Sequence, residues 1–231
     1  MNFNKLTTGK LLKRYKRFLA DIILDNGSEV TAHVPNTGSM KSTNEYMSEV
    51  ALSYHPDPKR KLKWTLELIK SDNCWVGVNT SFTNRMAESA IMEGKVQSLK
   101  GYAEIRREVK YGENSRVDLV LLKDKKSCFV EVKNVTWKDG DFALFPDAVT
   151  KRGTKHLEEL MNVVKQGDRA VMLFVVNRSD VNILKPAIEI DPVYSKTLKT
   201  AAQSGVELIA CRFKNSLEGF EFDGEIPIIF D

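Results

Sequence analysis

From Arg14 to about Thr80, apolar and polar residues alternate in short runs, RYKRFLADIIL, SEVTAHVP, SEVALSY, KLKWTLELI and CWVGVNT, each bounded by turn signals. Asp25-Asn26-Gly27 joins the first two runs as a hairpin, and Asn36-Thr37-Gly38, His55-Pro56-Asp57-Pro58 and Ser71-Asp72-Asn73 separate the later ones. Five short strands within about 65 residues leave many unpaired edges, which a closed sheet removes. The pattern predicts an all-β barrel of the oligonucleotide-binding (OB) type over residues 1–80.

Beyond Thr80 the period changes. NRMAESAIMEG reads as a helix with Asn84 as its candidate N-cap, followed by the strand-like runs AEIRREVKYG, RVDLVLLK and CFVEVKNV, split at Gly112-Glu113-Asn114 and Asp124-Lys125-Lys126. Leu157, Leu160, Met161 and Val164 then recur at helical spacing as one apolar stripe, with Gly167 where a C-terminal cap belongs. RAVMLFVVN is apolar throughout, as a strand covered on both faces must be. Asp191 and Pro192 open a further helix with Tyr194, Leu198 and Ala201 inward, which passes through Gly205 into VELIACRF. Residues 81–231 therefore read as an α/β unit, and neither unit contains a repeat or a low-complexity segment.

Composition changes this picture little. Of 231 residues 42% are hydrophobic, enough for a packed core and against disorder. No apolar run approaches the roughly 18 residues of a membrane span, and MNFNKLTTGKLLKRYKRF has no apolar stretch after its charges. A cytoplasmic protein without a membrane partner is expected. Cys74, Cys128 and Cys211 lack the paired spacing of a zinc site or disulfide framework and read as buried thiols. The net charge of +4 permits a polyanionic partner without demanding one.

The candidate chemistry lies in CFVEVKNV. Strand alternation sets Phe129, Glu131 and Lys133 on one face and Cys128, Val130 and Val132 on the other. The neighbouring run presents Arg116 and Asp118 at its start, and a hairpin between the two runs brings Asp118 within reach of Glu131. Two converging carboxylates repel unless a hard divalent cation such as Mg²⁺ or Mn²⁺ lies between them. Lys133 would then orient or deprotonate the attacking water, giving the parts needed for phosphodiester hydrolysis. A solvated Glu-Val-Lys strand is the bland alternative.

RYKRFLADI, HVPNTGSM, VNT followed by NRMAESAI, EVKYG with SRVD, VEVKNVT, and FPDAVTKRGTKHLEEL occur together in an order that resembles the sugar fermentation stimulation protein A family of bacteria and archaea, from about Leu12 to the C-terminus. The resemblance implies an OB-like barrel joined to a C-terminal restriction-endonuclease-like, PD-(D/E)xK, α/β domain, and it implies DNA binding. Asp118, Glu131 and Lys133 match that superfamily's metal-binding and catalytic positions. A further carboxylate is often present; Glu88, Glu93 and Glu108 are candidates, and Glu108 is preferred as a third metal ligand because its strand adjoins Asp118.

Asp147, Lys151, Arg152, Lys155 and His156 gather at and before the start of a helix, on the side opposite Leu157 and Leu160, as a phosphate cradle or a solvated helix face. His156, with no second His or Cys beside it, reads as an orienting or phosphate-contacting group rather than a metal ligand. In the barrel, Arg14, Lys16 and Arg17 are interleaved with Tyr15 and Phe18, and Lys61 and Lys63 flank Trp64, a mixture suited to phosphate contact and base stacking. Phe18 and Trp64 are expected in the core. Two functions compete: a metal-dependent nuclease, and a non-catalytic DNA-binding regulator of sugar (maltose) metabolism. The residues leave RNA open as a partner beside DNA, and a homodimer is compatible with the fold, many of whose nucleases pair.

Overall fold

The computed structural model describes residues 2–111, 115–124 and 126–230; the Gly112-Glu113-Asn114 turn and Lys125 lie outside the described residues. The first sheet contains β1 (Thr7–Tyr15), β2 (Leu19–Leu24), β3 (Glu29–His33), β4 (Glu49–Tyr54), β5 (Trp64–Ser71) and β6 (Cys74–Gly77). Its order is β3-β2-β1-β4-β5-β6, and a parallel β3–β5 pairing closes the first five strands into a barrel. Leu11, Ile22, Ala32, Leu52, Leu66 and Ile69 fill the interior, all without solvent exposure.

RYKRFLADIIL, expected as one strand, is two. Lys16 and Arg17 both take positive φ, 49° and 65°, and turn the chain between β1 and β2. The residues usually chosen for such a turn are Gly, Asn and Asp, so the Lys-Arg pair carried no turn signal. Phe18, expected in the core, sits on this turn and is 49% exposed.

The second sheet is formed by β7 (Glu104–Tyr111), β8 (Ser115–Lys123), β9 (Lys126–Val135), β12 (Arg169–Val176), β14 (Glu207–Asn215) and β15 (Phe220–Ile226), ordered β15-β14-β12-β9-β8-β7. Between them, β10 (Trp137–Asp139), β11 (Phe142–Phe145) and β13 (Ile183–Pro186) make a small three-stranded sheet that the hydrophobic pattern did not reveal. β12 lies parallel to both β9 and β14. Its Val171, Leu173 and Val175 face α1 (Thr83–Met92), while Ala170, Met172, Phe174 and Val176 face α2 (Lys151–Lys165) and α3 (Pro192–Gln203). This two-sided cover accounts for the unbroken apolar run.

Leu157, Leu160 and Val163 of α2 pack against Tyr194, Leu198 and Ala201 of α3 in one core. Thr150 caps α2, and Asp191 both caps α3 and accepts from the Thr150 N–H at 2.8 Å, which ties the two helix starts together.

The barrel and the α/β unit share a core. Ala51 and Leu68, paired across β4 and β5, pack into the cluster built on α1 and the second sheet. At the junction Gly77 N–H donates to Asn177 O at 2.9 Å, and a Cβ on Gly77 would stand 2.4 Å from Asn177 Oδ1, so no larger residue fits. The first residues leave the barrel: Asn2 bridges Gly219, and Phe3 packs on Phe82 and Phe220.

Candidate active site

The antiparallel β8–β9 register pairs Leu119 with Val130, so Asp118 and Glu131 occupy the next level of the hairpin. Cys128, Val130 and Val132 point into the α1-side core, and Phe129 and Val135 into the α2-side core, which carries Glu131 and Lys133 toward α2. Glu131 is 2% exposed.

Asp118 is held at both oxygens: Oδ2 accepts the Val132 backbone N–H at 2.8 Å, and Oδ1 accepts Asn84 Nδ2 at 2.9 Å. Asn84, expected as the N-cap of α1, does not cap it; Phe82 holds that position without a side-chain bond, and Asn84 spends its amide on Asp118. Burial and the Glu131 charge push the Asp118 carboxyl up, against the two donors that pull it down.

On Glu131, Oε1 accepts from Lys133 Nζ at 2.6 Å and from His156 Nδ1. Arg152 Nε donates to His156 Nε2 at 3.2 Å. A guanidinium can only donate, so Nε2 is the acceptor nitrogen and Nδ1 carries the proton that Glu131 receives. Burial pushes the Glu131 carboxyl up, but His156 and Lys133 outweigh it and hold it below the usual carboxylate range. Its second oxygen, Oε2, is buried with no hydrogen-bond partner.

His156 was expected on the polar side of α2; it is 4% exposed and faces the sheet. The signal was present, since His156 falls three residues after buried Gly153 and four before buried Leu160. Two further residues beside this cluster were not singled out by the sequence. Glu159 is 8% exposed, neither of its oxygens has a hydrogen-bond partner, and Lys155 Nζ lies 3.7 Å from one of them. Tyr111, at the end of β7, stacks on Phe129, and its phenol is pushed up by burial and by the charges of Glu131, Glu159 and Asp118.

The structure does not bring Glu108 into this cluster. It is exposed, and although the pairs Arg107–Leu119 and Val109–Val117 set it level with Asp118, its φ of +52° breaks the regular strand conformation there. Glu88 pairs with Arg107, and Glu93 with Lys95. Arg116, Lys151, Arg152 and Lys155 are exposed around the cluster. Lys16 and Lys61 are exposed on the barrel, as is Arg17, while Lys63 donates to Asp57 O. Arg14 is committed elsewhere: its guanidinium donates to the carbonyls of Arg17, Asn36, Gly38 and Ser39. Asp147 lies across from that loop, accepting from Met40 N–H at 3.0 Å, and does not join the exposed lysines of α2.

Comparison with known proteins fixes the setting. The family model described as "Sugar fermentation stimulation protein RE domain" matches residues 81–219, and the "SfsA N-terminal OB domain" matches residues 12–78. The chain belongs to the sugar fermentation stimulation protein family. It is 52% identical over 218 residues to a sugar fermentation stimulation protein homolog of Geotalea uraniireducens (strain Rf4), covering 94% of each chain. It is 50% identical to the homolog of Pelobacter propionicus, over 99% of this chain and 100% of that one. The solved structure of Pyrococcus furiosus SfsA in complex with Ca²⁺ matches with TM-score 0.90 and 26% identity over 99% of this chain and 98% of that one. The SfsA-family architecture is thus an N-terminal OB barrel joined to a restriction-endonuclease-like domain, as the hydrophobic pattern and the motif resemblance predicted. Among the described residues, no helix is long and apolar enough to cross a membrane, and the three cysteines are free and buried.

Proposed function

We propose that this protein is a divalent-cation-dependent phosphodiesterase that acts on DNA, with Asp118, Glu131 and Lys133 as its reacting centre. The observation that carries the reading is the pair of carboxylates on one hairpin beside a lysine, one half-buried and one buried, with one oxygen of the buried one, Glu131 Oε2, left without any partner. A buried charged oxygen without a partner is costly unless something else satisfies it.

The residues fit a hard cation that takes few protein ligands. Among the described residues no group of three or more His, Cys, Asp or Glu side chains is arranged to hold a metal by itself. Mg²⁺ and Mn²⁺ accept one or two carboxylates and leave positions for water and phosphate oxygens. The Ca²⁺ in the Pyrococcus furiosus SfsA structure supports a divalent cation in this family. Asp118 and Glu131 would hold the ion, which when bound polarises a phosphoryl oxygen and makes water a better nucleophile at neutral pH.

The chain supplies the rest. Lys133, anchored 2.6 Å from Glu131, orients the attacking water and offsets the charge that develops on the phosphoryl oxygens. His156 fixes Glu131 from α2, and Asn84 fixes Asp118 from α1, so both carboxylates are oriented from helices. Lys151 and Arg152, exposed in the first turn of α2, offer charge to flanking phosphates at a helix N-terminus.

The test is cleavage of labelled single-stranded and duplex DNA with Mn²⁺ or EDTA, by wild type and by Asp118→Ala. Cutting that needs metal and disappears in the variant is expected. DNA binding without cutting under any metal condition would overturn the reading and leave a binding protein that retains a nuclease fold.

A further inference from the structure

We infer that the apolar cavity between the end of β13, the start of α3 and the C-terminal segment binds a small amphiphilic anion, a molecule with one acidic head and a hydrocarbon body. None of the residues that line it takes part in the carboxylate site, so the inference is independent of the nuclease reading.

Two prolines and a docked tail build the cavity. Pro186 ends β13 and Pro192 opens α3, and neither ring carries an N–H that needs a partner, so apolar walls form here at little polar cost. The sequence IPIIF then returns along β13: Leu184 N–H donates to Pro227 O at 2.9 Å, and Ile229 N–H to Leu184 O at 3.0 Å. That pairing sets Phe230 with Pro186, Ile188 and Pro192 around a cavity of about 360 Å³. Pockets for small ligands begin at about 300 Å³.

The polar groups of the cavity are all donors. Lys196 and Lys199 lie three residues apart on one face of α3, both exposed, and neither ammonium has a hydrogen bond or ion pair among the described residues. Among those residues no acidic side chain lines the cavity. Ser195 completes the wall; it is 5% exposed, and its Oγ has no hydrogen-bond partner. A buried hydroxyl left in this state carries a free-energy cost that a ligand oxygen offsets.

These features select the occupant. A purely apolar molecule would leave Ser195 and both ammonium groups unanswered, and a wholly polar one would gain nothing from the prolines and Phe230. Ile188 is 57% exposed, so a hydrocarbon body covers apolar surface that water otherwise touches. A protein partner would need roughly 20–30 residues on this side, whereas seven described residues line the cavity. An anionic head on a short hydrocarbon chain meets both halves of the site.

Isothermal titration of the full chain with hexanoate, octanoate and decanoate, each below its micelle concentration, tests this. One-to-one binding is expected, tightening by about 4-fold for each added methylene. Ser195→Ala is expected to weaken decanoate by about 10-fold or more without lowering the melting temperature, because the hydroxyl it removes has no partner in the free chain. Replacing both lysines, Lys196→Ala together with Lys199→Ala, is expected to weaken it by roughly 2- to 20-fold and to remove most of its salt dependence. Ile188→Asp, at an exposed position, is expected to weaken it by about 10-fold or more by setting a second negative charge beside the head, with the melting temperature unchanged. No binding of decanoate, an affinity that does not change with chain length, or wild-type affinity in both the Ser195 and the lysine variants overturns the site. Binding to phosphatidylcholine–phosphatidylglycerol vesicles but not to decanoate makes the patch a membrane contact and also overturns it, as does a dimer in sedimentation velocity that Ile188→Asp dissociates.

Discussion

The amide of Asn84 donates to Asp118 Oδ1 at 2.9 Å, so the first turn of α1 and the start of β8 are joined through a side chain rather than through backbone alone. The other oxygen of Asp118 takes the Val132 N–H at 2.8 Å. Asn84 is the adjustable member of this pair of donors, because the backbone bond comes with the strand.

Asn84→Ala is therefore expected to leave the fold intact and to lower divalent-cation affinity by about 10- to 100-fold, the usual effect of losing an orienting partner behind a metal-binding side chain. Isothermal titration with Mn²⁺ measures this directly. Wild-type affinity in the variant would show that Val132 alone positions the carboxylate.

Asp118 and Glu131 also work against each other when no cation is present. Burial and Glu131 raise the Asp118 pKa above its unfolded value, so Asp118 favours the fold below its unfolded pKa and that contribution is lost as pH rises through its folded pKa. At neutral pH the charged form is a burden on the metal-free protein. Asp118→Asn removes the charge and keeps the shape, so it is expected to raise the melting temperature in EDTA by on the order of 2–4 °C, the shift produced by about 1 kcal/mol in a chain of this size. The same variant is expected to lose the stabilisation that Mn²⁺ gives to wild type. Thermal melts in EDTA and in Mn²⁺ measure both effects, and a lower melting point in EDTA would contradict the repulsion.

Why the sequence disclosed some of this and not the rest follows from particular residues. The β8–β9 hairpin, the Asp118–Glu131–Lys133 set and the Leu157–Leu160 stripe were legible because each obeys a simple period. The β1–β2 turn was hidden because Lys16 and Arg17 adopt positive φ without being Gly, Asn or Asp. Glu108 looked like a partner of Asp118 because the β7–β8 register sets the two level, but its φ of +52° breaks the regular strand conformation and the residue is exposed. Glu159 escaped, and His156 was named as an orienting group but placed on the polar side, because a helical wheel assigns polar residues to solvent, whereas Glu131 on the facing sheet holds His156 inward.

Arg14 is a structural basic residue of the barrel, unlike its exposed neighbour Lys16. Its guanidinium donors are spent on four carbonyls, of Arg17, Asn36, Gly38 and Ser39, and so it clamps the loop that meets Asp147. Arg14→Ala is expected to destabilise the protein by about 2–3 kcal/mol, since charged donors are removed from part-buried acceptors. Lys16→Ala, at an exposed position, is expected to change stability by less than about 0.5 kcal/mol. Urea denaturation of the two variants reads the difference. Equal stabilities would mean that the loop carbonyls find water as readily as Arg14.

A buried electrostatic network lies at the junction of the barrel with the α/β unit. Arg178 is fully buried; it donates to Thr136 O at 2.9 Å and pairs with Asp180 at 2.7 Å, and Lys138 reaches the same carboxylate at 2.9 Å. Burial pushes the Asp180 carboxyl up, but Arg178 and Lys138 overcome it and hold the group at about 2. A carboxyl whose pKa is depressed in the folded state contributes stability above its unfolded pKa, and loses that contribution as pH falls through the folded value. Stability is therefore expected to hold from neutral pH to about 4 and to fall between about 4 and about 2, part of that fall belonging to Asp180. Asp180→Ala leaves Arg178 charged and buried without its carboxylate, and is expected to cost about 3–5 kcal/mol at neutral pH. It should also flatten the acid limb of the profile, because the group that titrates there is gone. Denaturation of wild type and variant at pH 7 and pH 3 checks both parts; a variant as stable as wild type at pH 7, with an unchanged acid limb, would show that Arg178 is satisfied by Thr136 and Ser42 alone.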